Sequence, residues 1–244
     1  MIKFFRKIRQ QLLSENKFTK YLIYAIGEIV LVVIGILIAL NINNWNEEQK
    51  REAQEFKMLN ELLGNLRMDS LDLSHNIETY RNVSISSQYV VDGLQAKAPW
   101  QDSMAYHYSR LLVHGLATLN TSGYDNLRSI GFDLITNDSI RIALTALHGL
   151  EYERILKFEQ EFATDYTSNV IGPVVTKRIH MVKPWRNSVP HDYNALMNDL
   201  EFQEVVRWKS ITMASMANMY TETLESTLAL KAMIGQELSK KETQ

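Results

Sequence analysis

The chain has 244 residues, 26 basic and 28 acidic, with a formal net charge of −2 at pH 7 and no cysteine. Without cysteine there is no disulfide framework, no thiolate metal site and no cysteine nucleophile. Without a basic excess there is no electrostatic footprint for nucleic acid. The charge is unevenly spread, however: residues 1–20 carry six basic residues and one acidic one, whereas residues 41–244 carry 20 basic and 26 acidic.

Residues 1–20 form the first predicted element. Ile2, Phe5, Ile8 and Leu12 recur at helical spacing, with Lys3, Arg6, Lys7 and Arg9 interleaved. This pattern predicts a basic amphipathic helix on the anionic cytoplasmic face of a membrane. The plainer alternative is that these charges only set topology.

Residues 21–42 are the predicted membrane span. Their core, YLIYAIGEIVLVVIGILIAL, holds a single charge, Glu28. At about 1.5 Å per residue, twenty helical residues cover roughly 30 Å, the thickness of a bilayer core. The run is too long for a signal-peptide core, and no small-x-small cleavage site follows, because Leu40 leads into Asn41, Ile42, Asn43 and Asn44. An uncleaved signal anchor is therefore expected. Six basic residues precede the run and only Lys50 and Arg51 follow closely, which places the N-terminus in the cytoplasm and residues 45–244 outside it. Trp45 at one end, with Tyr21 and Tyr24 at the other, suits the two interfaces.

A carboxylate inside such a run costs about 2.5–3.5 kcal/mol at mid-bilayer. Tyr24 lies four residues before Glu28 and shares its face, so its hydroxyl is a candidate partner. Gly35 is seven residues beyond Glu28, Gly35 and Ala39 form a small-xxx-small pair, and Gly27 extends the thin stripe. Small residues let a second helix approach closely, so this face is expected to pack on another transmembrane helix. Two other readings stand beside it: a local hydrogen bond of Glu28, or a proton- or ion-coupled role.

Helical patterns dominate beyond the span. Over residues 43–97, a seam of Phe56, Leu59, Leu63, Leu66, Ser70, Leu73, Ile77, Tyr80, Ser84, Ser87, Val91 and Leu94 steps by three and four. Its serines favour the inner face of a bundle over a two-stranded coiled coil. This helix is expected to follow directly on the membrane helix as a stalk, and Ala98-Pro99-Trp100 ends it. The remainder, residues 98–244, predicts helices over about 101–116, 122–131, 139–170 and 198–238, with a loop at 183–192. Ser122 with Asp125 resembles a capping box, and Asn137 or Asp138 caps the third of these helices. Ile140, Leu144, Leu147, Ile155, Phe158 and Phe162 on that helix, and Phe202, Val205, Trp208, Ile211, Met219, Leu224, Leu228 and Met233 on the last, are the residues available to pack. The expected class is all-α: one transmembrane helix, then a periplasmic bundle of long helices.

Residues 1–48 resemble the start of a widespread family of uncharacterised Bacteroidota proteins. The likeness lies in a basic KFFRKIRQ opening and in YLIYAIGEIVLVVIGILIALNINNWNE at residues 21–47, with a looser continuation in SGYDNLRSIGFDLITNDSIR at residues 122–141. The resemblance implies a Gram-negative inner-membrane protein, single-pass, with its C-terminal part periplasmic. It also implies that Glu28 belongs to the family's pattern.

Catalytic motifs are missing. The six histidines include His107 and His114, seven apart, and His148 with Glu151 and Glu153, all read as surface polar residues. The paired Glu-x-x-His of a di-iron bundle does not occur, nor do G-x-S-x-G, a P-loop or G-x-G-x-x-G. No catalytic residue, metal or cofactor is therefore expected. The segment at residues 122–141 offers a candidate recognition surface in Tyr124, Asp125, Asn126, Arg128, Asn137, Asp138 and Arg141, although helix caps explain several of these. Trp100, Tyr106 and Tyr108 read as core or rim rather than pocket. The leading expectation is a membrane-anchored, non-enzymatic scaffold or partner-binding subunit, in contact with the bilayer and with a second copy or another membrane protein, and not with nucleic acid. A ligand-sensing bundle and a proton-gradient-coupled subunit acting through Glu28 are the alternatives.

Overall fold

The computed structural model describes residues 18–243, apart from a few side chains near the start. The basic residues Lys3, Arg6, Lys7 and Arg9, and the side chain of Tyr24, lie outside what is described. The first helix, α1, covers Phe18–Gln95. The chain divides into two compact units, one ending at Gln54 and one beginning at Glu55.

In the first unit, every large aliphatic side chain described from Leu22 to Ile42 is exposed, Ile23 at 65% and Ile29 at 63%. This is the one helix among the described residues that is long and apolar enough to cross a membrane. A methyl group built on Gly27 or Gly35 would meet nothing.

The second unit has its core along the predicted seam. Leu59, Leu66, Leu73, Ile77, Tyr80, Val91 and Leu94 are all buried, and so are Ser70 and Ser87. The seam faces two other long helical stretches. One is α8, Leu200–Glu242. The other is a continuous helical rod over residues 138–176. Three core clusters record their directions. Leu59 and Leu62 meet Ile140, Leu144, Leu230 and Ile234 at one end. Leu73 and Tyr80 meet Ile155, Ala163, Met213 and Tyr220 in the middle. Val91 and Leu94 meet Ile171, Val175, Phe202 and Val206 at the other end. The rod thus runs parallel to α1, and α8 runs back along both.

The short elements between α1 and the rod are α2, Met104–Ser109, and α3, Ser122–Ile130. The helix expected over 101–116 is therefore only one and a half turns, and residues 113–121 are irregular. Its continuation loses to long-range capture of its backbone. Tyr80 donates its hydroxyl to the Gly115 carbonyl at 2.9 Å. The amides of Ala117, Thr118 and Asn120 donate to the carboxylates of Glu159, Asp72 and Asp69, at 2.8, 2.9 and 2.7 Å. Side-chain acceptors of this kind compete directly with the helical ladder. The result is a strap across the helices.

The Ser122 capping box does not form. Thr121 occupies the N-cap position without a side-chain bond, and Ser122 Oγ instead accepts from Asn65 Nδ2 at 3.1 Å. Gly131, at φ 116°, takes the positive-φ position that ends α3. Asn137 does cap the rod, accepting from the amides of Ser139 and Ile140.

The rod alternates two helical windings. Its α-helical parts are α4, Asp138–Ala146, α5, Glu153–Phe158, and α6, Gly172–Thr176. Between them lie π-helical turns at Leu147–Tyr152, Glu159–Asp165 and Thr167–Ile171. The wider i→i+5 winding shifts the phase of every later side chain. Phe158 and Phe162, expected in the core, consequently sit 38% and 36% exposed and stack on each other at 5.3 Å. Gly172-Pro173 does not end the rod, which carries on to Thr176 because Pro173 falls in the first turn of α6.

The all-α expectation needs a correction. The segment read as a loop at 183–192 lies within a hairpin of β1, Ile179–Lys183, and β2, Asn187–Pro190. Ile179 pairs with Pro190 and Met181 with Ser188, antiparallel. Pro184 sits in the turn and Pro190 ends the strand, both positions where no ladder donor is needed. A short helix α7, Tyr193–Leu196, follows under an Asp192 cap, and Asp199 caps α8. On α8, Phe202 and Val205 are buried as expected, but Trp208, Ile211 and Leu228 face outward at 58%, 54% and 44% exposure. Lys209, Thr223 and Thr227 fill the inner face instead.

Candidate functional site

Within the second unit, a cleft of about 440 Å³ opens between the strap, α3 and the rod. The strap contributes Ala117, Thr118, Leu119 and Thr121; α3 contributes Tyr124, Asp125 and Arg128; the rod contributes His148, Tyr152, Glu153 and Leu156. Its volume falls within the roughly 300–1,000 Å³ of small-molecule sites.

Its wall is aromatic. The rings of Tyr124 and His148 stack with centroids 4.4 Å apart and planes 6° from parallel. Tyr152 meets the other side of His148 edge-on at 4.8 Å, and Phe132 supports Tyr124 at 5.6 Å. His148 is only 7% exposed, and its Nδ1 has no hydrogen-bond partner. Burial pushes its imidazole down to about 4, against an opposing pull from Asp125, so the ring is neutral at pH 7.

The wall rests on a buried carboxylate. Asp69 is 0% exposed and accepts from the Tyr152 hydroxyl at 2.9 Å and from both nitrogens of Asn120 at 2.7 and 3.0 Å. Burial raises its carboxyl above the usual range in spite of these bonds. The same device recurs on either side. Glu159 holds the Ala117 amide, and Glu55, 1% exposed, holds the amide and hydroxyl of Thr136 while pairing with Lys241 at 2.8 Å. Burial works to raise the Glu55 carboxyl, and Lys241 with Thr136 outweighs it, leaving it lowered.

The rim is charged and mixed in sign. Asp125, Arg128 and Glu153 are exposed, and among the described residues no salt bridge joins any of them to another side chain.

Of the recognition residues expected from sequence, Tyr124, Asp125 and Arg128 come together in the cleft. Asn126 turns instead to Glu61, at 3.5 Å. Arg141 pairs with Asp138 and donates to the Ile135 carbonyl at 3.0 Å, which makes both residues structural. Sequence reasoning missed His148 and Tyr152 as wall residues. A signal existed, because Ile140, Leu144, His148 and Tyr152 form a four-step row whose first two members are plainly core.

The remaining histidines and aromatics do other things. His107 and His114 do not share a helix face, since α2 ends at Ser109. His107 stacks on Tyr89 at 4.1 Å with Nδ1 against Ser86 Oγ, and His114 lies in the strap. No group of three or more His, Asp or Glu residues suited to a metal occurs among the described residues. Trp100 packs on Tyr108 and Tyr193 at 5.6 and 5.3 Å in the core, while Tyr106 lies outside under Arg110. Away from the cleft, Lys209 is also buried, 0% exposed, and its Nζ donates to Thr167 Oγ1 at 2.9 Å. Burial pushes its ammonium down to about 7.

In the first unit, Glu28, Gly35 and Ala39 share one face of α1 by their spacing of seven and four, with Gly27 beside them.

A family of unknown function (DUF6090) matches residues 28–172. No curated protein and no solved structure matches the chain.

Proposed function

The chain belongs to this family of unknown function, and the matched segment contains the whole cleft and most of the apolar span; on that premise we propose a membrane-anchored, non-enzymatic binding module. In this reading α1 crosses the cytoplasmic membrane with its N-terminus inside. The second unit is a helical bundle in the periplasm of a Gram-negative bacterium, and its cleft receives a small ligand. One observation carries the reading: a cleft of ligand size, walled by the stacked rings of Tyr124 and His148 and rimmed by exposed charges that no salt bridge among the described residues neutralises.

The test is hydrogen exchange on the full chain in nanodiscs, with a panel of amino acids, sugars, nucleosides and organic acids. A binding module shows protection at 117–128 and 148–156 with at least one compound, and Tyr124→Ala abolishes it. Unchanged exchange across all classes overturns the ligand reading. A second reading, a scaffold subunit held to a second copy or another membrane protein through the Glu28 face, is favoured by the open space over Gly27 and Gly35. Crosslinking in cells, wild type against Gly35→Leu, tests it: a discrete adduct lost in the variant supports it, and an unchanged pattern removes it.

A further inference from the structure

We propose that the cleft takes a zwitterion, specifically a free α-amino acid with an apolar side chain. The inference rests on the reading of the cleft as a binding site.

The rim charges select the class. Arg128 and Asp125 lie one turn apart on α3, and Glu153 comes from α5. None of the three is neutralised by a salt bridge among the described residues. A simple anion entering the cleft would meet two carboxylates, and a simple cation would meet a guanidinium. A molecule carrying both charges satisfies all three. Arg128 offers a planar fork suited to a carboxylate. Asp125 and Glu153 offer acceptors for an ammonium. His148 agrees with the same choice: it forms part of the wall, and as a neutral ring it does not repel an ammonium. Ala117, Leu119 and Leu156 supply an apolar surface for the side chain.

The test uses three probes on the full chain in nanodiscs, by isothermal titration calorimetry: L-leucine, N-acetyl-L-leucine, which lacks the ammonium, and L-leucinamide, which lacks the carboxylate. Leucine is expected to bind at least about tenfold more tightly than either blocked form, a difference near 1.4 kcal/mol. Arg128→Gln should erase the preference for leucine over leucinamide, and Glu153→Gln should weaken the preference over the acetyl form. Both residues are exposed, so neither change threatens folding. Equal binding of the blocked forms, or wild-type selectivity in both variants, overturns the proposal. If leucine and the other amino acids fail to bind while a sugar, nucleoside or organic acid still protects 117–128 in exchange, the zwitterion is wrong and the binding module stands. If nothing protects the cleft, both fall.

Discussion

Tyr152 and Asp69, 83 residues apart, meet through a 2.9 Å hydrogen bond at the foot of the cleft, and Asp69 also holds both nitrogens of Asn120. One carboxylate thus joins α1, the strap and the rod. Asp69→Ala leaves a buried hydroxyl and a buried amide without acceptors, each worth about 1–3 kcal/mol. The variant is expected to lose roughly 2–4 kcal/mol of stability in chemical denaturation followed by circular dichroism. Asp69→Asn keeps an acceptor for Asn120 and can donate to the Tyr152 oxygen, so it should lose clearly less. Equal losses would show that charge, not hydrogen bonding, is what matters there.

His148 predicts an acid limb in stability. Its folded imidazole titrates near 4, against about 6.5 when unfolded. Between those values the unfolded chain holds a proton that the folded chain lacks, so stability falls as pH drops from 6.5 to 4 and this contribution flattens below. His148→Phe keeps a ring on Tyr124 and removes the titration. Its stability relative to wild type should rise by roughly 2–3 kcal/mol between pH 7 and pH 4. Parallel curves for the two proteins would show that the ring is not the titrating group.

Lys209 predicts a second rise of stability with pH, on the alkaline side. Its folded ammonium titrates near 7, against about 10.4 when unfolded. Below pH 7 both states hold the proton and the group adds no slope. From pH 7 to 10 the unfolded state holds one proton more, so stability rises with pH. Lys209→Met should remove that rise and should stabilise the protein at pH 6 by about 1–4 kcal/mol, because a buried charge is replaced by an apolar side chain of similar length. Its own burial holds the imidazole of His114 down and the Lys209 charge adds to that, so His114 should titrate higher in the variant, as followed by NMR.

The exposed apolar run predicts integral membrane behaviour. Leu31 and Ile34 stand at 65% and 50% exposure near its centre. Changing both to Arg adds about 2.5–3.5 kcal/mol each to insertion. The double variant should leave the carbonate-resistant membrane fraction that retains wild type. Persistence in that fraction would show that other contacts hold the chain at the membrane.

The α1 seam was legible because its core side faces two partners along five heptads, which keeps the period unbroken from Leu59 to Leu94. The rod was legible as far as Ile155, which is buried as expected. The π turns at Leu147–Tyr152 and Glu159–Asp165 shift the phase, so Phe158 and Phe162 are not placed by a 3.6-residue count. On α8, hydrophobicity misled: Trp208 and Ile211 look like core and face out, whereas Lys209 looks like surface and is buried. The candidate site was half visible, in Tyr124, Asp125 and Arg128. Its other half depended on His148 lying under Tyr124, a long-range stack with no local signal beyond the four-step row.

The strap shows the same limit from another side. Its path is set by Asp69, Asp72, Tyr80 and Glu159, none of which belongs to it. What it supplies in return is backbone, the Asn120 amide side chain, apolar contacts from Val113, Ala117 and Leu119, and a residue at Gly115 small enough to lie against the Tyr80 ring. A nonapeptide spliced into 113–121 that keeps Val113, Gly115, Ala117, Leu119 and Asn120 and changes the rest should therefore adopt the same course. The course of this wall of the cleft is thus written in the helices beneath it, which act as its template.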